Sequence, residues 1–324
     1  MDFTERVQNM INNVIANSVV NFLMIPYQNK QLHKYYPDAP QVNDLIYNTS
    51  LLLINADPSV YDPIPKVPNV INIAGYHIAK PKPLPKDIEI ILNNAKHGVV
   101  YFSLGSNLKS KFIAKEKIEI ILRVLSRLKE TVLWKFEDDL PGKPANVIIQ
   151  KWFPQNDILA HKNVKLFITH GGLYSTIESI YHGVPMLGFP FFGDQMSNLM
   201  RAERFGYGKW MKLTELEEEN FEAHIRDLLR DPKYSEAAKH RSKILNDKPL
   251  SPADALAYWV DYVIRHKGAD HLKVPQNLSW YQYLMLDAIA FISVCIISVF
   301  VIVKYSLRLI IKMCKTKKSK VKTN

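Results

Sequence analysis

Lys165-Leu166-Phe167-Ile168-Thr169-His170-Gly171-Gly172-Leu173-Tyr174-Ser175-Thr176-Ile177-Glu178 decides the fold. Lys165–Thr169 is a short apolar run with β-branched residues and reads as a buried strand. Two glycines follow, and an amphipathic pattern from Gly172 to His182 reads as a helix. The same alternation extends to both sides. Gly98–Ser103, Thr131–Phe136, Asn146–Gln150 and Met186–Phe189 read as strands. Residues 115–129, Asp194–Phe205, 214–229, 233–246 and 252–265 read as helices. Apolar strands alternating with helices imply an α/β fold whose parallel sheet is covered on both faces. Ligands of such sheets bind at the carboxyl ends of the strands. Here those ends are the loops that begin at Leu104, Lys151, His170 and Pro190.

Three of these strand ends carry suggestive chemistry. In Phe102-Ser103-Leu104-Gly105-Ser106-Asn107, Gly105 permits a tight turn and Ser106 can face a phosphate, although a plain strand and turn explain it as well. At His170-Gly171-Gly172, the glycines let a ligand approach the backbone. The helix N-terminus then offers free N–H groups to a diphosphate, with His170 and Ser175 as further donors. Glu178 lies one turn deeper on the face of Ser175, where a carboxylate can accept both hydroxyls of a ribose. A capped helix with a core-facing Glu is the bland alternative. At Gly193-Asp194-Gln195, Asp194 is either an N-cap or, with Gln195, a partner for vicinal sugar hydroxyls.

The composition has one unusual figure. The chain has 324 residues, with 42 Lys and Arg against 31 Asp and Glu, a formal charge of +11. Eight of the basic residues lie between Lys304 and Asn324, with no acid among them, so the remainder is close to balance. A basic nucleic-acid-binding body is thereby excluded, and no nucleic-acid partner is expected. Before the basic tail, Leu284–Val303 carries a single charge, Asp287. With Trp280, Tyr281 and Tyr283 at its entry, the segment 281–303 is expected to span a membrane once. The tail 304–324 then lies in the cytoplasm and residues 1–280 on the lumenal side. Lys320 and Lys322, fifth and third from the end, resemble the dilysine retrieval signal of endoplasmic-reticulum membrane proteins. Both cysteines, Cys295 and Cys314, fall in the span and tail, so the body has no disulfide. Asn48-Thr49-Ser50 and Asn277-Leu278-Ser279 are glycosylation sequons.

Met1-Asp2-Phe3-Thr4-Glu5-Arg6 opens no signal peptide, which conflicts with a lumenal body and leads us to expect a chain lacking its true N-terminus. Residues 2–23 read as an amphipathic helix opened by Asp2 and Glu5 in near capping-box spacing. Leu51–Asn55 and Val70–Ala74 are strand-like. Residues 75–86, with Pro81, Pro83 and Pro85, read as an extended linker.

Taken together, Trp152-Phe153-Pro154-Gln155, Leu159-Ala160-His161, His170-Gly171-Gly172, Ser175, Glu178, Gly183-Val184-Pro185, Pro190 and Asp194-Gln195 resemble the signature of the UDP-glycosyltransferase family, glycosyltransferase family 1. The likeness extends to the linker, the apolar span and the lysine tail, and is strongest to the membrane-anchored invertebrate branch. It implies a GT-B fold of two facing Rossmann-like domains. Residues 1–74 would be the end of the acceptor-binding domain, 75–86 the linker and 87–270 the donor domain. By the same resemblance, Trp152 and Gln155 flank uracil. Ser106, His170, Gly172 and Ser175 contact the diphosphate, Glu178 holds the ribose, and Asp194 and Gln195 meet the donor sugar. Tyr174 stands where many members have Asn. The implied reaction transfers a hexosyl group, glucosyl or glucuronosyl, from a UDP-sugar to a small lipophilic acceptor with inversion, without metal or other cofactor. Its base is a histidine of the N-terminal domain, expected to lie outside this chain. His33 and His77 fit no such motif and are expected to be structural or exposed. The alternative is a non-catalytic UDP-sugar-binding or dimer-forming subunit, and homo- or hetero-oligomerisation is left open.

Overall fold

The computed structural model describes residues 2–106, 109–273 and 278–321. It divides into two compact units, 1–273 and 274–324. The first unit opens with helix α1 (Phe3–Val19), whose Asp2 and Glu5 form a reciprocal capping box with both bonds at 2.8 Å. The expected helix over 2–23 continues through a π-helical turn, Val20–Met24, into α2 (Ile25–Tyr35). A short helix α3 (Val42–Tyr47) follows. Strands β1 (Leu52–Ile54) and β2 (Val70–Asn72) then pair in parallel.

Helix α4 (Lys86–Asn94) leads into a six-stranded sheet. Its strands are β3 (Val99–Ser103), β4 (Thr131–Lys135), β5 (Val147–Gln150), β6 (Val164–Thr169), β7 (Met186–Gly188) and β8 (Gly208–Trp210). All are parallel, in the order β5-β4-β3-β6-β7-β8. The chain runs outward from β3 to β5, then returns to lay β6 beside β3. That reversal opens a crevice at the carboxyl ends of β3 and β6, where doubly wound sheets bind ligands.

Both sheet faces are dry because successive strand residues point to opposite sides. Val100 and Phe102 face one way, against Ile121, Val124 and Leu125 of α5 (Lys115–Ser126) and Phe221, Ile225 and Leu228 of α9 (Glu218–Arg230). Val99 and Tyr101 face the other, against Ile88 and Leu92 of α4 and Ile158 and Leu159 of α6 (Gln155–Leu159). In-register neighbours stack across strands: Phe102 on Trp134 with ring centroids 4.7 Å apart, and Tyr101 on Phe167 at 5.2 Å. A third cluster joins α7 (Leu173–Tyr181), α8 (Gln195–Arg204) and α10 (Pro232–Asn246) through Ile177, Ile180, Leu199, Ala202, Ala238 and Leu245. Helix α11 (Pro252–Arg265) follows, its N-terminus capped by Ser251.

In the second unit, a capped turn α12 (Trp280–Tyr283) precedes α13 (Leu286–Val321). Leu286–Ile311 is long and apolar enough to cross a membrane, with mean hydropathy 2.8 and no buried residue. It begins later than the span expected from residue 281, because Trp280–Tyr283 form their own turn and Met285 takes φ 55°. It also runs past Val303, through Lys304 and Arg308. Asn107, the sequon Asn277 and Lys322 lie outside the described residues. The other sequon residue, Asn48, is exposed at the end of α3.

Candidate functional site: a nucleotide cleft at the sheet crossover

His170 follows β6 and its ring is pinned between two glycines. A Cβ added to Gly172 would lie 2.5 Å from the ring Nε2, and one added to Gly105 2.7 Å from Cε1. Gly105 also has φ +79°, which L side chains rarely adopt. The two glycines thus leave just enough room for the imidazole between the turn after β3 and the start of α7. Burial pushes the His170 pKa down, with the nearby Asp194 charge offsetting part. The ring is therefore neutral near pH 7, and its Nδ1 is buried with no hydrogen-bond partner among the described residues. Helix α7 starts at Gly172 without a side-chain cap, so its first N–H groups stay available.

Beside His170 lies a cleft of about 390 Å³. Ser106, Trp152, Gln155, Ser175 and Glu178, five of the residues singled out in the sequence, line it. Gln155 binds the other two deep residues: its Nε2 donates to Ser175 Oγ at 3.1 Å and to Glu178 Oε2 at 2.6 Å. Burial raises the Glu178 pKa, and the Gln155 bond offsets part of the rise. Trp152 is 67% exposed, leaving one indole available as a stacking surface. His170 and Gly172 flank the cleft through Gly105.

Asp194 and Gln195 are not among the residues lining this cleft. Gln195 is buried, and its Oε1 accepts from the backbone N–H of Phe191 at 2.8 Å and of Phe192 at 3.1 Å, so this oxygen holds the loop. Asp194 is exposed and accepts from Asn198 Nδ2 at 3.0 Å, and Asn198 also donates to the carbonyl of Gly171. The Asp–Gln pair is thus tied to the His-Gly-Gly turn through Asn198.

Two residues of the site went unseen in the sequence. Lys135, at the end of β4, is 7% exposed and lines the cleft. Its Nζ donates to the Gly105 carbonyl at 2.7 Å, pairs with Glu137 at 3.2 Å and sits 5.9 Å from the Trp152 ring centre. The signal was a lysine in an otherwise apolar strand. His77 is the second. Of the two expectations for it, structural or exposed, the structure rules out exposure: its Nε2 lies 3.8 Å from Glu178 Oε1, and its ring meets Tyr174 edge-on at 4.5 Å. His33 is structural, with its ring nitrogens bonded to the carbonyls of Asn29 at 2.8 Å and Ala39 at 2.9 Å. The linker lies along the cleft, where Ala79, Lys80 and Lys82 line it and Asp157 accepts from the Lys82 N–H at 2.9 Å. Among the described residues, no group of three His, Cys, Asp or Glu side chains is placed to hold a metal ion.

Solved structures share this architecture. A forosaminyltransferase of spinosyn, SpnP, superposes with TM-score 0.61 at 17% identity, over 75% of this chain and 62% of its own. The glycosyltransferase of kitacinnamycin gives 0.59 at 17%, over 79% and 67%. VinC, a glycosyltransferase solved in complex with dTDP, gives 0.52 at 17%, over 64% and 51%. The fold is that of GT-B glycosyltransferases. In sequence, residues 1–321 match the family model described as UDP-glucoronosyl and UDP-glucosyl transferase. UDP-glycosyltransferase UGT5 of Dactylopius coccus is 42% identical over 95% of this chain and 59% of its own length. UDP-glucuronosyltransferase 2B13 of Oryctolagus cuniculus is 36% identical over 94% and 58%. The chain belongs to the UDP-glycosyltransferase family, and it spans about three-fifths of the length of these relatives.

Proposed function

We propose that the cleft binds the UDP moiety of a UDP-sugar, and that the protein transfers a hexosyl group, glucosyl or glucuronosyl, to a small lipophilic acceptor with inversion. One observation carries the reading: a single amide, Gln155 Nε2, fixes both Ser175 and Glu178 at the sheet crossover, beside the uncapped start of α7. In this reading Trp152 stacks on uracil with Gln155 at its edge, and Glu178 accepts from the ribose. Ser106, Ser175, the α7 N–H groups at Gly172 and the orphaned imidazole of His170 take the diphosphate. Exposed Asp194 would meet the transferred sugar, while buried Gln195 holds the 191–192 loop beside it. The dTDP held by VinC, a nucleoside diphosphate in a similar fold, supports the placement.

In the reaction an acceptor hydroxyl oxygen forms its bond to the anomeric carbon from the face opposite UDP, and its proton passes to the histidine base that the family resemblance assigns to the acceptor-binding domain. The bond from that carbon to the β-phosphate oxygen breaks, and the electron pair leaves with UDP. The helix N-terminus and His170 stabilise the charge that gathers there. His170 serves as a neutral donor in this scheme, not as the base, and no metal takes part. Leu286–Ile311 anchors the protein in the endoplasmic-reticulum membrane as a single pass, with residues 1–280 lumenal and the basic tail cytoplasmic.

Titration calorimetry with UDP, UDP-glucose and UDP-glucuronic acid tests the donor site. His170→Ala and Glu178→Ala should each weaken UDP at least tenfold, and isotherms in EDTA and in Mg²⁺ should superimpose. Wild-type affinity in both variants refutes the site. UDP-sugar binding without transfer to any acceptor identifies a binding subunit instead.

A further inference from the structure

Buried polar atoms without partners gather where the linker crosses α7. Glu178 commits Oε2 to Gln155 at 2.6 Å. Its Oε1 lies 3.8 Å from His77 Nε2, too far for a hydrogen bond. Both ring nitrogens of His77 are sealed from solvent and make no hydrogen bond among the described residues. Native structures seldom leave such groups unsatisfied, and a cluster of them beside a cleft calls for an explanation.

The imidazole is positioned mainly by ring packing. Its ring stands edge-on to Tyr174 at 4.5 Å and to Tyr76 at 5.7 Å, and the two tyrosine hydroxyls bond to each other at 3.0 Å. Neither nitrogen is within hydrogen-bond geometry of a partner among the described residues, and the Tyr174 backbone acts on the ring only from beyond that geometry. Burial favours the neutral ring, the Tyr174 backbone opposing in part, so the ring has one N–H and one lone pair. Facing it is a carboxylate oxygen that only accepts. A hydroxyl satisfies both at once, accepting from the imidazole N–H and donating to the carboxylate. A phosphate oxygen would be repelled by Glu178, and a carbonyl would give the carboxylate nothing. Two atoms 3.8 Å apart can share one oxygen roughly 2.8 Å from each, and since both ring nitrogens are sealed here, the linker must shift to admit it.

We propose that His77 is a donor-binding residue, whose Nε2–H and Glu178 Oε1 together clasp one ribose hydroxyl of the UDP-sugar, making the linker part of the nucleotide site. This rests on the cleft being a UDP-sugar site. It also makes the linker a moving part, because binding pins residues 75–80 to α7.

The test uses calorimetry on the full chain in detergent with UDP, 2′-deoxy-UDP and 3′-deoxy-UDP. Wild type should prefer UDP to one of the deoxy analogues about tenfold. His77→Phe keeps the aromatic packing and removes both nitrogens. It should bind UDP about tenfold more weakly, lose that preference, and melt without ligand no lower than wild type. His77→Gln, which restores an N–H, should recover part of the preference. Full discrimination in His77→Phe overturns the clasp and leaves the cleft reading intact. Wild type that ignores both missing hydroxyls overturns the clasp as well. No binding of UDP by wild type overturns both readings.

Discussion

Gly172 enters α7 at φ −61° and ψ 146°, angles open to any residue, so its own backbone does not require glycine. The demand comes from His170, whose Nε2 occupies the space a Cβ would need. Gly172→Ala should therefore displace the imidazole, weakening UDP at least tenfold and costing about 1–3 kcal/mol of stability. Adding His170→Ala should relieve the clash without restoring affinity, and calorimetry on the pair checks both points. His182 makes a second prediction. Burial drives its imidazole down to about 4, the Asp157 charge opposing, while its Nε2 lies 2.8 Å from Asn156 Oδ1. Unfolded, it titrates near 6.5. Above that value both states are neutral and nothing is lost. As pH falls from 6.5 towards 4 the unfolded chain takes the proton first, and stability drops by on the order of 3 kcal/mol once below 4. His182→Gln never titrates, so its loss between pH 7 and pH 5 in urea unfolding should be about 2 kcal/mol smaller. The histidine after β6 and the carboxylate on α7 were legible because each sits in a local strand–turn–helix pattern. His77 was not, because its meaning depends on Glu178, far along the chain, and only the fold brings them together.

Among the elements, the central strands could be read directly, since β3, β4 and β6 are buried on both faces and their apolar runs have no competing period. Strand β8 was missed: Gly208-Lys209-Trp210 has no apolar run, and its pairing with β7 gives it strand form. Helix α6 is only five residues and starts after Pro154, too short for a helical period to show. The ends of β3 and β4 are joined by the Lys135 ammonium at the Gly105 carbonyl, and the same ammonium faces the Trp152 ring. Lys135→Met keeps the stem and removes this tie. It should cost about 1–3 kcal/mol in denaturant unfolding, the usual loss when a charged hydrogen bond in a buried site is broken. UDP affinity should fall with it, because Trp152 loses its support. Unchanged stability would mean that the bond adds nothing beyond what water supplies.

At the scale of the whole molecule, charge and hydropathy divide the protein as its contacts do. The body up to residue 273 has buried cores on both faces of its sheet, whereas Leu286–Ile311 exposes nearly every apolar side chain. Exposed apolar helix of that length is stable only in lipid or against a protein partner. The basic residues that follow favour the cytoplasmic leaflet, where anionic headgroups attract them. Deleting residues 280–324 should therefore move the protein from the alkaline-carbonate-resistant membrane pellet to the soluble fraction. UDP affinity should stay within about twofold, because no residue of the cleft lies beyond 178. The full chain should leave residues 1–273 protected from protease in sealed microsomes until detergent is added. Retention of the deleted form in the pellet would point to a second membrane-binding surface in the body. The exposed apolar face of α1, with Phe3, Val7, Met10, Ile11 and Val14, would then be the first place to substitute.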